Sequence, residues 1–225
     1  MPKSPIFPYN VVEVRSMQWL LLAVWSALIL CLARRNARWL RPLLAMGLAG
    51  AMGTQLVLLM LDGLFTWQAA LPLHLCSLFG VLCIPMLWRA PALLVEAVCF
   101  LGAPGALLTL FFPAVLRCSH PLMMQWAFYQ LHVLVALMPL YFVQTGKPMP
   151  SDPRRTLVLG NGYLVLISLI NRVFDANYLF LRAAPAGTPL EWLFRHGTPT
   201  YLCALEMLCM LVFSWLRPLY AYWRK

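Results

Sequence analysis

The sequence predicts an all-α polytopic integral membrane bundle of seven transmembrane helices, with the N-terminus outside and the C-terminus inside. Three observations carry that prediction. The chain of 225 residues is 62% hydrophobic and only 11% charged, against about 25% charged in soluble domains. Its apolar residues fall into blocks about 18–22 long, the length that crosses roughly 30 Å of hydrocarbon. The basic residues behind the net charge of +10 sit in the joints between blocks and not on one amphipathic face, which speaks for membrane topology and against nucleic-acid binding. No polar segment is long enough to bury a core of its own, so residues 1–225 read as a single transmembrane domain.

Met1 to Arg15 is a short polar lead with three prolines. The first span, residues 16–33, is followed by Arg34, Arg35, Arg38 and Arg41. A cleaved signal would carry its charge before the apolar run and end in small residues, so this helix is expected to be retained. Span two, 42–61, carries Gly47, Gly50 and Gly53, whose spacing lets helix backbones approach closely. Span three, 71–88, opens with Leu71-Pro72-Leu73-His74-Leu75-Cys76. Pro72 fits a first helical turn, where a missing N–H matters least.

Span four, 92–112, holds Gly102-Ala103-Pro104-Gly105, and a proline there predicts a kink. Span five, 122–143, places Gln125, Tyr129, His132, Ala136 and Pro139 on one face. Span six, 156–174, carries Asn161, Ser168, Asn171 and Arg172, and Asp175 follows it. The joint 176–198 is long enough for a re-entrant or interfacial piece. Span seven, 199–215, contains Glu206.

The basic residues test the orientation. Inside fall Arg34, Arg35, Arg38, Arg41, Arg89, Lys147, Arg154, Arg155, Arg217, Arg224 and Lys225; outside fall Lys3, Arg15, Arg117, Arg172, Arg182 and Arg195. Eleven against six favours N-out, C-in.

With that topology the costly residues gather in the outer half. His74 and Cys76 lie one turn into span three, His132 near mid-membrane, and Glu206 about seven residues into span seven. Gln55, Asp62, Asn171, Arg172, Asp175 and Asn177 sit at outer halves or ends. Glu96 is the exception, near the inner end of span four and in reach of Arg89. The expected result is a polar chamber opening outward. Singly, Gln55, Asn161 and Ser168 read as interhelical hydrogen-bonding residues, and Arg172 and Asp175 as a local pair.

A thiolate is a nucleophile, and a helix N-terminus or an imidazole favours its formation. Cys76 sits in a first turn. His74 is two residues away, roughly 200° around a regular helix, so His132 is the better base, with Glu206 or Asp175 orienting it. His74 then suits a headgroup or an oxyanion, beside Arg172 or Asn171. Of the seven cysteines, Cys31, Cys83, Cys99, Cys203 and Cys209 lie in apolar runs and behave as small hydrophobes. Cys118-x-His120 is a poor metal signature and reads as a loop thiol.

The Leu-Pro-Leu-His-Leu-Cys run, Glu96 followed by a Gly/Pro-broken stretch ending at Pro113, His132, Asn171, Asp175-Ala176-Asn177-Tyr178-Leu179-Phe180-Leu181 and Leu205-Glu206 resemble the YwaF-type bacterial integral membrane proteins. The resemblance runs from about Leu71 to Leu216. Its family includes the transmembrane protein 164 proteins of animals, regarded as cysteine-dependent acyltransferases that remodel ether phospholipids. More distantly it is similar to the androgen-induced membrane hydrolases, which use a Thr and a His on lipid esters. The resemblance implies a multi-pass protein of the bacterial plasma membrane, with membrane lipids as substrate, a nucleophile in the His-Leu-Cys segment and a His on a later span. In the animal acyltransferases the cysteine directly precedes the histidine, a position held here by Leu73.

These readings assign Cys76, His132 and His74 to catalysis. They assign Asn171, Arg172, Asp175, Asn177, Glu206 and Gln125 to substrate binding, with no cofactor demanded by any spacing. Two alternatives stay open. His74, His132 and Glu206 are a ligand set for zinc-dependent hydrolysis. A small-molecule transporter, receptor or scaffold is the other, although only span four is clearly broken where transporters often pair broken helices.

Overall fold

In the computed structural model, described for residues 17–116, 118–147, 149–150, 152–184 and 189–223, all regular structure is helical. The N-terminal lead with Lys3 and Arg15, and also Arg117, Pro148, Arg224 and Lys225, lie outside the described residues. Six helices among those described are long and apolar enough to cross a membrane, so the protein is a multi-pass membrane protein.

Helical hydrogen bonding runs unbroken from Met17 to Leu61, but the segment is two spans, α1 (Met17–Arg35) and α2 (Arg38–Leu61). A Cβ on Gly47 would lie 3.3 Å from the Trp25 ring, whereas 22 residues of straight helix cover about 33 Å. The chain therefore reverses between Arg35 and Arg38. The joint expected there is almost absent, and Arg34, Arg35, Arg38 and Arg41 belong to the helix ends themselves.

After the short helix α3 (Trp67–Ala70) comes α4 (Leu75–Met86). Here the expected third span is corrected. Leu71 precedes proline and is extended (φ −67°, ψ 140°), as steric conflict with the proline ring requires. The helix starts only at Leu75, with His74 as its N-cap (φ −70°, ψ 144°). Twelve residues rise about 18 Å, short of a full crossing.

Span α5 (Ala92–Phe111) contains a π-helical turn, Val98–Gly102, in which the Ala103 N–H bonds to the Val98 carbonyl. The expected disturbance at Pro104 takes this form: the wide turn accommodates the proline. Then follow α6 (Pro121–Gln144), α7 (Arg154–Val173), a 3-10 turn at Tyr178–Phe180, α8 (Pro189–Phe194) and α9 (Thr198–Trp223). The helical pieces at Tyr178–Phe180 and Pro189–Phe194 fill the joint 176–198. Helix α9 continues eight residues past the expected end of span seven at Trp215.

Helix α6 is the axis: 72% of its apolar window is buried, against 6% for α9. Cross-links fix the helix directions. Gln18 Nε2 donates to the Leu110 carbonyl (3.3 Å), Gln55 Nε2 to that of Ala127 (3.3 Å), Tyr141 Oη to that of Leu87 (3.0 Å) and Tyr220 Oη to that of Cys99 (2.9 Å). Met17, Leu61, Leu75, Phe111, Pro121, Val173 and Thr198 consequently share one end of the bundle. The opposite, basic end carries Arg34, Arg35, Arg38, Arg41, Arg89, Lys147, Arg154, Arg155 and Arg217.

At the first end Asp62 clasps the loop before α6. Its Oδ2 accepts the Ser119 N–H at 2.7 Å and its Oδ1 the Ser119 hydroxyl proton at 2.5 Å. That proton is thereby committed, so the His120 Nδ1–H donates to Ser119 Oγ at 2.7 Å. These bonds give Ser119 and His120 Nδ1 of the Cys118–His120 motif a structural role, and burial pushes the Cys118 thiol up. The two Ser119 hydrogen bonds, side chain first, hold the Asp62 carboxyl below its ordinary value of 3.8. A depressed carboxyl stabilises the folded state above its unfolded pKa, and that contribution is lost as pH falls through the folded value. Amide exchange at residues 118–120 is therefore expected to accelerate as pH drops below about 4, after correction for intrinsic rates. Asp62→Asn abolishes that dependence; an unchanged profile in this variant would contradict the clasp.

Candidate functional site

The site is assembled around α4, wedged between α5 and α6 by two glycine contacts. A Cβ on Gly80 would meet Leu131 Cδ1 at 2.6 Å, and one on Gly102 would meet the Phe79 ring at 2.9 Å. Glycine at both positions lets the three helices close to a distance that any side chain would prevent. The segment before α4 is held from the other side. Tyr163 Oη donates to the Leu73 carbonyl at 2.8 Å and Tyr178 Oη to that of Trp67.

His74, released from the helix by the turn at Leu71–Leu73, sends its ring against Tyr178 (centroids 5.4 Å) and Phe180 (5.1 Å). Cys76, in the first turn of α4, is partly buried and interacts with the Thr109 hydroxyl on α5. That hydroxyl donates its proton to the Gly105 carbonyl at 2.9 Å. With its proton so committed, the hydroxyl has only its oxygen lone pairs to turn toward the thiol.

His132 is buried on α6, 7% exposed, stacked on Phe128 at 4.2 Å. Its Nδ1 lies 2.7 Å from the Phe128 carbonyl. A carbonyl only accepts, so Nδ1 carries the proton and Nε2 the lone pair. Helical side chains lean toward the N-terminus, which lifts this ring one turn, to the level of Phe128. Gly80 packs beside Leu131, and Cys76 is one turn above Gly80, so thiol and imidazole stand at the same level. His74 and His132 are near enough to interact electrostatically. The expected base and the Cys76 thiol thus lie at one level of the bundle, with His74 in electrostatic reach of His132, and no hydrogen bond among the described residues joins Cys76 to His132.

The expected substrate-binding residues do not converge with them. Glu206 accepts a hydrogen bond from Asn161 Nδ2 at 3.0 Å between α9 and α7, so it neither orients His132 nor completes a ligand set. No group of three His, Cys, Asp or Glu side chains placed to hold a metal occurs among the described residues. Arg172 is exposed. Asp175 pairs with Arg182 Nη1 at 2.6 Å, not with Arg172. Glu96 does not pair with Arg89: its Oε2 is buried with no hydrogen-bond partner. Gln125 is buried on the face of α6 that holds His132, two turns outward.

Asn171, Asp175 and Asn177 instead build a hook that covers His74. The buried Asn171 carboxamide donates to the Tyr178 carbonyl and accepts the Tyr178 N–H, both at 2.8 Å. Asn177 Oδ1 accepts the N–H groups of Arg182 (2.9 Å) and Ala183 (3.1 Å). Arg182 Nη1 reaches the carbonyls of Asn171 (3.2 Å) and Ala176 (3.3 Å). These bonds hold Leu179 and Phe180 in left-handed conformations (φ 57° and 56°), strained for such side chains. The strain presents Tyr178 and Phe180 to the imidazole.

Thr109 escaped notice in the sequence, where nothing marks it except being the lone hydroxyl residue of α5. Phe180 was legible only as part of a motif.

No curated protein and no solved structure matches the chain significantly. One family model does, that of the TMEM164 family, over residues 11–216. Because that match covers most of the chain, with all the residues gathered around α4, the chain belongs to the TMEM164 family.

Proposed function

We propose that the protein is a membrane-embedded lipid-ester enzyme that transfers a fatty acyl group from a phospholipid to Cys76 and then to an acceptor alcohol or water. The state of His132 carries this reading. With Nδ1–H donated to the Phe128 carbonyl, Nε2 is a fixed lone pair at the level of a first-turn thiol.

In the proposed reaction His132 Nε2 takes the Cys76 proton, and the sulfur attacks the ester carbonyl. Collapse forms the thioester and breaks the ester C–O bond, and the leaving lysolipid oxygen takes the proton back from Nε2. Water or an acceptor hydroxyl then repeats the sequence on the thioester, restoring the thiol. His74 donates to the developing oxyanion, and Thr109 holds the thiol on the reacting side before it is deprotonated. Beneath His132 the face of α6 is closed by Val135, Met138 and Phe142, all buried, which supports chemistry in a one-sided pocket over passage through the bundle. The positive-inside rule places the basic end in the cytoplasm and the pocket toward the outer leaflet of the plasma membrane. On this reading α4 and the turn after it carry the chain from Leu75 at the outer end to Arg89 at the basic end.

The test is an assay of the detergent-purified protein with acyl-labelled phospholipid. We expect acyl transfer or fatty-acid release that a Cys76→Ala, His132→Ala double variant lacks. Equal rates in the two proteins, or no turnover of any phospholipid class, would overturn the proposal.

A further inference from the structure

At the basic end, remote from the proposed catalytic residues, α1, α2 and the C-terminus of α6 border an open cleft of about 500 Å³ lined by Ala33, Arg34, Arg41, Val143, Gln144, Thr145 and Gly146. Two guanidinium groups line it and no carboxylate does. Arg41 Nε is buried without a hydrogen-bond partner, a costly state for a donor on a cation. Its guanidinium otherwise faces the Tyr141 phenol, whose own proton is spent on the Leu87 carbonyl.

A helix C-terminus ordinarily attracts arginine through its free carbonyls, but here those of Tyr141, Phe142 and Val143 are taken. Gly146, at φ +68°, closes α6 with the Lys147 N–H on the Phe142 carbonyl (2.8 Å) and its own N–H on that of Val143 (3.2 Å). That pattern is a Schellman cap. Thr145 supplies its N–H (3.0 Å) and hydroxyl (2.7 Å) to the Tyr141 carbonyl. Those three carbonyls are thus closed to the arginines, and no carboxylate lines the cleft to balance their charge.

The neighbouring cleft of about 550 Å³, lined by Leu93, Arg154, Arg155, Val158 and Leu159, also holds two arginines. Its Arg154, however, has an acidic partner, Asp152, at 3.8 Å, and its other walls are apolar.

We infer that the Arg34–Arg41 cleft is a binding site for an anionic phosphate group, either the headgroup of an acidic phospholipid in the adjoining leaflet or free phosphate. Guanidinium groups match phosphate oxygens in pairs, and basic pockets between membrane helices take acidic headgroups. The inference does not depend on the chemistry proposed at the other end.

The experiment measures thermal stability of the purified full-length protein in neutral detergent against dihexanoyl phosphatidylglycerol, dihexanoyl phosphatidylcholine and inorganic phosphate. Phosphatidylglycerol is expected to raise Tm in a saturable manner and phosphatidylcholine to leave it unchanged. A matching rise with inorganic phosphate identifies a free anion as sufficient; no rise with it identifies the lipid as the ligand. Arg34→Gln, a change at an exposed position, is expected to weaken the apparent affinity several-fold. Arg34→Gln with Arg41→Gln weakens it by at least about tenfold. Arg154→Gln with Arg155→Gln leaves it unaltered. Equal responses to both lipids, no response to any anion, wild-type affinity in Arg34→Gln, or an equal loss in the Arg154, Arg155 variant would overturn the inference.

Discussion

His132→Gln is expected to cut phospholipid turnover by about 10²- to 10⁴-fold, the usual contribution of a general base, while leaving thermal stability nearly unchanged. Glutamine can still donate an N–H toward the Phe128 carbonyl, so the packing that now holds the ring 4.2 Å from Phe128 loses little. What disappears is the Nε2 lone pair. Thr109→Val serves as a milder companion. It removes the hydroxyl beside the thiol and leaves the imidazole in place, so its loss of rate should be smaller and should not alter the pH profile. A His132→Gln protein with wild-type turnover would remove the base from the mechanism.

Asn171→Leu is expected to be the most damaging substitution for folding. The side chain is 1% exposed and satisfies both backbone groups of Tyr178. Leucine leaves a buried N–H and C=O without partners, at about 1–3 kcal/mol each. The left-handed Leu179 and Phe180 also depend on that anchor, so the aromatic cover over His74 should be lost with it. Arg172→Ala, one residue on and fully outside the hook, is expected to change stability by less than about 0.5 kcal/mol. Denaturation of the two variants side by side checks the pair. Similar effects would mean that Asn171 is not the anchor.

The comparison of Asn171 with Arg172 shows where sequence reading succeeds and where it stops. Hydropathy places the long helices because length and lipid cost leave few options, and it locates α1, α2, α5, α6, α7 and α9. It misplaces the start of α4 because periodicity is blind to a proline that makes the preceding Leu71 extended. Depth reasoning puts His74, Cys76 and His132 at one level, and all three lie at or just inside one end of helices that pack together. The same reasoning fails for Glu206, which faces Asn161 on α7. Depth does not specify azimuth. Polar residues near a helix end also serve two purposes that composition cannot separate, and Asn171, Asp175 and Asn177 turn out to hold backbone. Thr109 is invisible for a related reason: one hydroxyl in an apolar helix matters only once a neighbouring helix brings a thiol to it.

The central claim is that Cys76 becomes acylated, and trapping that intermediate tests it most directly. The purified protein is incubated briefly with a phospholipid bearing an alkyne-tagged acyl chain, quenched in acid, and analysed by intact mass and peptide mapping. The account predicts one added acyl group on Cys76, released by neutral hydroxylamine as a thioester is and absent from Cys76→Ala. Undiminished lipid turnover in Cys76→Ala, with no acyl group on Cys76 of the wild-type protein, would contradict it.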